Sequence, residues 1–242
     1  WSSDPHFIPD LVRMLDNVLT YFIAHAPNEL EKARFSAEKE RSIGLGAMGF
    51  HAYLQRHNIP FESAMAKGRN MAMFWHIKSG AETASRNLAL ERGEAPDAQG
   101  TGMRNCHLLA IAPNASSSII CGNTSPSIEP YRANAYTQKT KSGTSLQKNE
   151  YLEDLLRDLG MDTDEVWKSI VTNGGSVAHL EFLDDWTKDV FKTAVEIDQR
   201  WVIDMESDRQ KHICQSQSLN VFFPADVSKM ELHAIHMQAW KD

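Results

Sequence analysis

HLLAIAPNASSSIICGNTSPSIEPY, residues 107–131, decides how this chain is read. The apolar run Leu108–Ala112 reads as a buried strand, and Pro113 punctuates it. Asn114, Ala115, Ser116, Ser117 and Ser118 follow at once, and then Ile119 and Ile120 resume the apolar pattern. A strand that stops and becomes a helix with a polar first turn brings unpaired backbone N–H groups, the positive end of a helix dipole and several hydroxyls to one place. Such a turn suits a phosphate. The same residues also serve as ordinary helix caps, so a capped helix start without a ligand explains them as well.

Around this turn the pattern is helix-rich. Helical spacing of Phe7, Leu11, Leu15, Val18, Leu19 and Phe22 predicts a first helix, with Pro9 in its first turn or marking a later start. Glu29–Arg41 is charged and reads as an exposed connection or short helix. Glu62–Arg92 is the longest helical candidate, with the Met65, Met73, Phe74, Ile77, Ala81, Ala84 and Leu88 stripe as core and Gly93 as its stop. Further helices are expected at Asn149–Leu159, after Thr163, within Leu183–Asp208 and after Ser228, where Glu231 completes a capping box. Lys139–Gly143 reads as a basic loop, and Leu219–Phe223 as a strand ended by Pro224.

GLGAMG at Gly44–Gly49 has the spacing of a dinucleotide fingerprint, but Lys39–Ser42 before it is no strand. Close helix packing is the better reading. Cys106, Cys121 and Cys214 form no CxxC pair and read as small buried hydrophobes. His233 and His236 lie three apart without a third ligand, so no metal is expected. No G-x-S-x-G elbow surrounds Ser116–Ser118, which speaks against a hydrolase nucleophile. The net charge of −7 argues against a nucleic-acid partner while leaving nucleotides open. No signal peptide or membrane-length apolar run is present, and a cytoplasmic location is expected.

Several blocks, in order, carry a resemblance. They are Leu15-Asp16-Asn17; Arg41-Ser42-Ile43-Gly44-Leu45-Gly46-Ala47-Met48-Gly49-Phe50 with Ile59-Pro60-Phe61-Glu62-Ser63; Arg104-Asn105 with Leu109–Ser118; Ser127-Ile128-Glu129-Pro130 with Asn134-Ala135-Tyr136; Ile213–Asn220; and His236–Lys241. Together they resemble the carboxy-terminal half of the large, catalytic subunit of ribonucleotide reductase. The resemblance implies an α/β fold, helix-rich, the second half of a ten-stranded α/β barrel. Residues 1–242 would then be a single domain fragment truncated at both ends. It implies reduction of ribonucleoside diphosphates to deoxyribonucleotides by cysteine-radical chemistry, and it matches Asn114, Ala115, Ser116 and Ser117 to the positions that hold the substrate diphosphate. Many class I members carry Glu where this chain has Ala115, a change that a main-chain contact survives. The radical cysteine, redox cysteines and acid–base carboxylate of the family fall outside the matched blocks, so the piece is expected to be inactive alone and to need the rest of the large subunit. In class I members the radical comes from a metal-containing small subunit, and in class II from adenosylcobalamin. Asn114–Ser118 looks like class I, while Gly46–Phe50 and Leu88–Gly93 also look like class II. Glu129, beside an anion site, would either repel the ligand or pair with a nearby cation such as Arg104 or Arg132, and an orienting role behind the turn is expected. The alternative function is a non-catalytic nucleotide-phosphate binding or assembly module.

Overall fold

The structure is a computed structural model that describes residues 3–141 and 143–242. The chain divides into two compact units. The first comprises Trp1–Gly46, Arg69–Ala112 and Ser207–Ser218; the second comprises Ala47–Gly68, Pro113–Glu206 and Leu219–Asp242.

In the first unit, α1 (Phe7–His25) buries Ile8, Val12 and Asp16, with Pro9 inside its first turn. α2 (Glu31–Glu40) buries no residue, as its charged sequence requires. α4 (Ala64–Arg92) begins in the second unit and supplies the first with Met73, Phe74, Ile77, Ala81, Ala84 and Leu88, all buried. Gly93 stops it in a left-handed conformation, φ 86°, with its amide bonded to Ala89 O. Met65, by contrast, is half exposed.

Three extended segments run parallel in this unit. Ile43 N donates to His107 O at 3.0 Å, Leu45 N to Leu108 O at 2.8 Å, and Ala110 N to Leu45 O at 3.2 Å. On the other side Gln215 N donates to Leu109 O, Ile111 N to Ser216 O and Ser218 N to Ile111 O, at 3.2, 3.1 and 2.9 Å. Leu108, Leu109 and Ile111 are buried, as expected of a parallel strand covered on both faces. The expected buried strand at Leu108–Ala112 is present as an extended segment rather than a full strand: among the described residues it makes two isolated bridges, Leu45↔Leu109 and Ile111↔Gln217, and Ala112 is exposed. Pro113, which lacks an N–H, ends it.

Two sequence expectations change here. The glycines at 44 and 46 do permit close packing, but the neighbour is this extended segment and not a helix. A Cβ on Gly46 would stand 2.8 Å from Ala110 O, and one on Gly44 3.2 Å from Ala110 Cβ. The pairing also ends at Ser218. Leu219–Phe223 forms no strand; the Phe222 amide is taken instead by the Gln199 side chain at 2.8 Å.

The unit's main polar feature is Asp16, fully buried. Its carboxylate accepts from Arg41 Nε at 2.8 Å, Arg92 Nη1 at 2.8 Å and Arg104 Nε at 3.2 Å. Burial alone would push this carboxyl up. The Arg41 hydrogen bond and charge, with Arg104 and Arg92, outweigh that and hold it below the usual range.

In the second unit, α3 (Phe50–Arg56) starts at Gly49, whose φ of 83° and 2.6 Å Cβ approach to Thr124 Oγ1 admit no side chain without strain. α5 (Ser117–Ile120) is one turn long. β1 (Ala135–Thr140) and β2 (Gly143–Lys148) form an antiparallel hairpin with Ala135 opposite Lys148 and Thr140 opposite Gly143. The expected loop at Lys139–Gly143 is thus the end of a hairpin, apart from Ser142, which lies outside the described residues. This is the one named sheet among the described residues, so a complete barrel is not formed by them.

α6 (Glu150–Asp158), α7 (Asp164–Thr172), α8 (Asp185–Val190), α9 (Gln199–Gln210) and α10 (Lys229–Lys241) follow. Asn149, Thr163, Asp184 and Ser228 cap α6, α7, α8 and α10 with side-chain oxygens. The apolar core centres on Leu152, Leu156, Trp167, Ile170 and Val190. A buried polar network crosses it. Asn149 Nδ2 donates to Gln55 Oε1 and Asn134 Oδ1, Asn134 Nδ2 to Gly175 O and Phe191 O, and Gln55 Nε2 to Val190 O. Beside it, His51 Nδ1 accepts from Tyr131 N at 3.0 Å. The imidazole is wholly buried, and burial takes its pKa down to about 3, so it is neutral.

Candidate functional site

The turn after Pro113 is built by backbone conformation. Asn114 has φ 53°, the left-handed region that Asn tolerates better than most residues, and it redirects the chain. Ser118 N then donates to Asn114 O at 3.0 Å, and Ser118 Oγ folds back to Ala115 O at 3.1 Å. Cys121 N reaches Ser117 O and Thr124 N reaches Ser118 O. Gly122 and Asn123, both at positive φ, end the turn.

Three consecutive amides, those of Ala115, Ser116 and Ser117, have no acceptor among the described residues, and the hydroxyls of Ser116 and Ser117 have no partner there. All three residues are exposed. The expected helix start therefore exists but amounts to four residues, too few for an appreciable macrodipole. What the turn offers is the three N–H groups themselves.

Glu129 lies in the segment that follows. Ser125 Oγ accepts from Ala52 N, and Ser127 O accepts from Phe50 N, which ties this segment to α3. The Glu129 carboxylate is buried and accepts from Asn220 Nδ2 at 2.6 Å. Burial raises its pKa, and the Asn220 bonds and the Arg132 charge offset part of the rise. Of the two cations expected beside it, Arg132 is the one that bears on it. Arg104 is committed to Asp16. Arg132 also lies over the Phe222 ring, 5.3 Å from its centroid. A cavity of about 350 Å³ is lined by Arg132, Asn220 and Phe222, and one of about 520 Å³ by Glu62, Gln199, Phe222 and Glu231 among others. Neither lining includes a residue of the Asn114–Ser117 turn.

The cysteines are not the buried hydrophobes that the sequence suggested. Cys121 and Cys214 are exposed and Cys106 is partly buried. Cys214 Sγ accepts from the amides of Leu108 and Leu109 at 3.2 and 3.3 Å, so strand-end hydrogen bonding fixes it rather than packing. Burial, with Asp97 and Glu40, raises the Cys106 thiol. His233 and His236 are exposed on α10, and His236 Nδ1 contacts Leu232 O. No group of three His, Cys, Asp or Glu side chains is placed to hold a metal among the described residues. No helix among them is long and apolar enough to cross a membrane.

Sequence reasoning missed Asn123. Its carbonyl accepts from Tyr131 Oη at 3.3 Å, its Oδ1 from Tyr136 Oη at 3.1 Å, and its Nδ2 donates to Lys148 O at 3.3 Å. Asn beside Gly at a turn end was the available signal.

Comparison with known proteins bears on the whole chain. The family model for the ribonucleotide reductase barrel domain matches residues 4–101 and 96–242. The ribonucleoside-diphosphate reductase large subunit of Invertebrate iridescent virus 6 is 51% identical over 245 residues, which span 100% of this chain and 26% of that protein. The vitamin B12-dependent ribonucleoside-diphosphate reductase of Mycobacterium tuberculosis (strain CDC 1551 / Oshkosh) is 34% identical, over 95% of this chain and 33% of that protein. Among solved structures, the class Id ribonucleotide reductase alpha subunit of Actinobacillus ureae superposes with a TM-score of 0.92 at 39% identity, covering 100% of this chain and 45% of the other. The chain thus spans between about a quarter and somewhat under half of these relatives. With the family model matched from near one end to the other, the chain belongs to the ribonucleotide reductase barrel-domain family.

Proposed function

We propose that this chain is part of the catalytic subunit of a ribonucleotide reductase and supplies the turn that holds the diphosphate of a ribonucleoside diphosphate. The observation that carries this reading is the run of three amides at Ala115–Ser117, on exposed residues, that have no acceptor among the described residues, with the hydroxyls of Ser116 and Ser117 likewise without a partner there. A diphosphate presents acceptor oxygens and negative charge to such a run. Each charge-assisted hydrogen bond contributes about 1.5–3 kcal/mol. Because the donor is the main-chain N–H, the Ala115 contact needs no side chain. Asn114 sets the turn through its left-handed backbone. Glu129 stands behind the site as an orienting group, held by Asn220 and balanced by Arg132.

The three parallel segments in the first unit support placement in the second half of the family's ten-stranded barrel. The rest of the large subunit then provides the cysteines that react, and a small metal-containing subunit provides the radical, as in class I. The large-subunit name of the viral relative and the class Id title of the structural one support that assignment over adenosylcobalamin.

Calorimetry with ADP tests the site directly. Binding by the chain is expected, with Ser116→Ala and Ser117→Ala each weakening it about tenfold, the size of one lost hydrogen bond to a charged group. Equal affinity in both variants and the parent would remove the hydroxyls from the reading. No binding by the parent would remove the site.

A further inference from the structure

We infer that Asn123 is a positioning residue: through Tyr131, Tyr136 and Lys148 it clamps the end of the Asn114–Asn123 turn and so sets the direction of the amides at Ala115–Ser117. The inference rests on the diphosphate reading for its functional consequence, but not for its geometry. The turn itself is thinly held. It is a single helical turn with exposed residues on both sides of Ser118, and five amides close it: Ser118 N to Asn114 O, Ile120 N to Ser116 O, Cys121 N to Ser117 O, Asn123 N to Ile119 O and Thr124 N to Ser118 O. Nothing in that set fixes the turn against the body of its unit. Asn123 does so three times, with three different atoms. Its carbonyl receives the phenol of Tyr131, its Oδ1 receives the phenol of Tyr136 on β1, and its Nδ2 donates to the Lys148 carbonyl at the end of β2.

The two phenols suit this duty. Burial raises the pKa of each, so both remain protonated donors at neutral pH. Tyr131 is itself anchored, because it is buried and its amide donates to His51. Asn123 also has φ 55°, a conformation that costs most side chains more than it costs Asn. A residue that supplies a left-handed backbone, one side-chain donor and one side-chain acceptor at once leaves Asn as the natural choice. Asp keeps the acceptor and loses the donor; Ala loses both.

The test measures two things on the whole chain. Hydrogen exchange is followed at the amides of Ser118, Cys121 and Thr124 in the parent, Asn123→Ala, Asn123→Asp and Tyr136→Phe, and ADP affinity is measured on the same samples. Exchange in Asn123→Ala is expected to quicken about tenfold at these amides, with smaller effects in Tyr136→Phe and Asn123→Asp, each of which removes one bond. ADP affinity falls in the same order. Ser116→Ala is expected to weaken ADP without quickening exchange, which separates contact from positioning. Unchanged exchange in Asn123→Ala overturns the clamp. Quickened exchange with unchanged ADP affinity overturns the positioning role and leaves a structural one. Quickened exchange in a chain whose parent binds no ADP overturns the diphosphate reading, and the positioning role with it. Tyr136→Phe, which deletes one oxygen from a half-buried side chain, keeps the test decisive if Asn123→Ala does not fold.

Discussion

The carboxylate of Asp16 gathers guanidinium donors from Arg41, Arg92 and Arg104, whereas the amides of Ala115, Ser116 and Ser117 give their protons to no acceptor among the described residues. The Asp16 carboxylate is fully buried, and Ala115, Ser116 and Ser117 are exposed. A buried charge is tolerated only when its partners are present, because the medium around it cannot replace them. An exposed amide borrows water at little cost and can exchange that water for a better acceptor. Hydrogen-bonding capacity used up inside the protein maintains the fold, and capacity left over at an exposed turn is free for water or, on the reading proposed above, for a ligand.

The contrast breaks most visibly at Asp16. Asp16→Ala leaves Arg41, itself buried, without its counter-ion, and should destabilise the first unit by about 3–5 kcal/mol. Urea denaturation measures it. A loss below about 1 kcal/mol would place the cluster with ordinary surface ion pairs. Gly46→Ala comes next. The new Cβ would meet the Ala110 carbonyl at 2.8 Å, and that oxygen cannot swing away without disturbing the parallel pairing around it. A cost of about 1–3 kcal/mol is expected in the same assay.

His51 sharpens the comparison in the second unit, since its burial is compatible with neutrality alone. The unfolded imidazole takes a proton near pH 6.5 and the folded one only near 3. Its folded pKa is depressed, so the unfolded chain binds more protons between these values. Stability is therefore complete above 6.5 and falls as pH drops toward 3, by up to about 1.4 kcal/mol per pH unit. Urea midpoints between pH 7.5 and 4.5, compared with His51→Gln, isolate this contribution from the carboxylates. Equal slopes in the two proteins would mean that His51 ionises without penalty.

What the sequence disclosed and what it hid follow the same division. Chain-local signals were readable: Pro113 after an apolar run, Gly93 after α4, and Thr163 and Ser228 as caps each act within a few residues of themselves. The ring of arginines around Asp16 was not, because its members lie 25, 76 and 88 positions away and meet only in the fold. β1 and β2 were hidden for another reason. Ala135–Lys148 is largely polar and exposed and lacks the alternation that announces a strand with one buried face. Leu219–Phe223 failed in the opposite sense, since Val221, Phe222 and Phe223 line a cavity and the Phe222 amide finds a side chain, with no ladder to join. At the candidate site, the residue types at Asn114–Ser117 were visible, while the missing acceptors of the Ala115–Ser117 amides and the clamp at Asn123 required coordinates.

The smallest expected effect completes the comparison. Ser116 and Ser117 are exposed, and their hydroxyls hold nothing within the described protein. Ser116 occupies the cap position of α5 without making a cap bond, so its replacement removes no folding interaction. Ser116→Ala and Ser117→Ala should therefore shift the urea midpoint by no more than about 0.5 kcal/mol in equivalent stability, in the same proteins whose ADP affinity falls. A group that serves the fold loses stability and binding together when removed, whereas one that serves a ligand loses binding alone. If either serine proved worth 1 kcal/mol or more to folding, its hydroxyl would be capping the turn after all, and the surplus of donors at Ala115–Ser117 would be smaller than the structure shows.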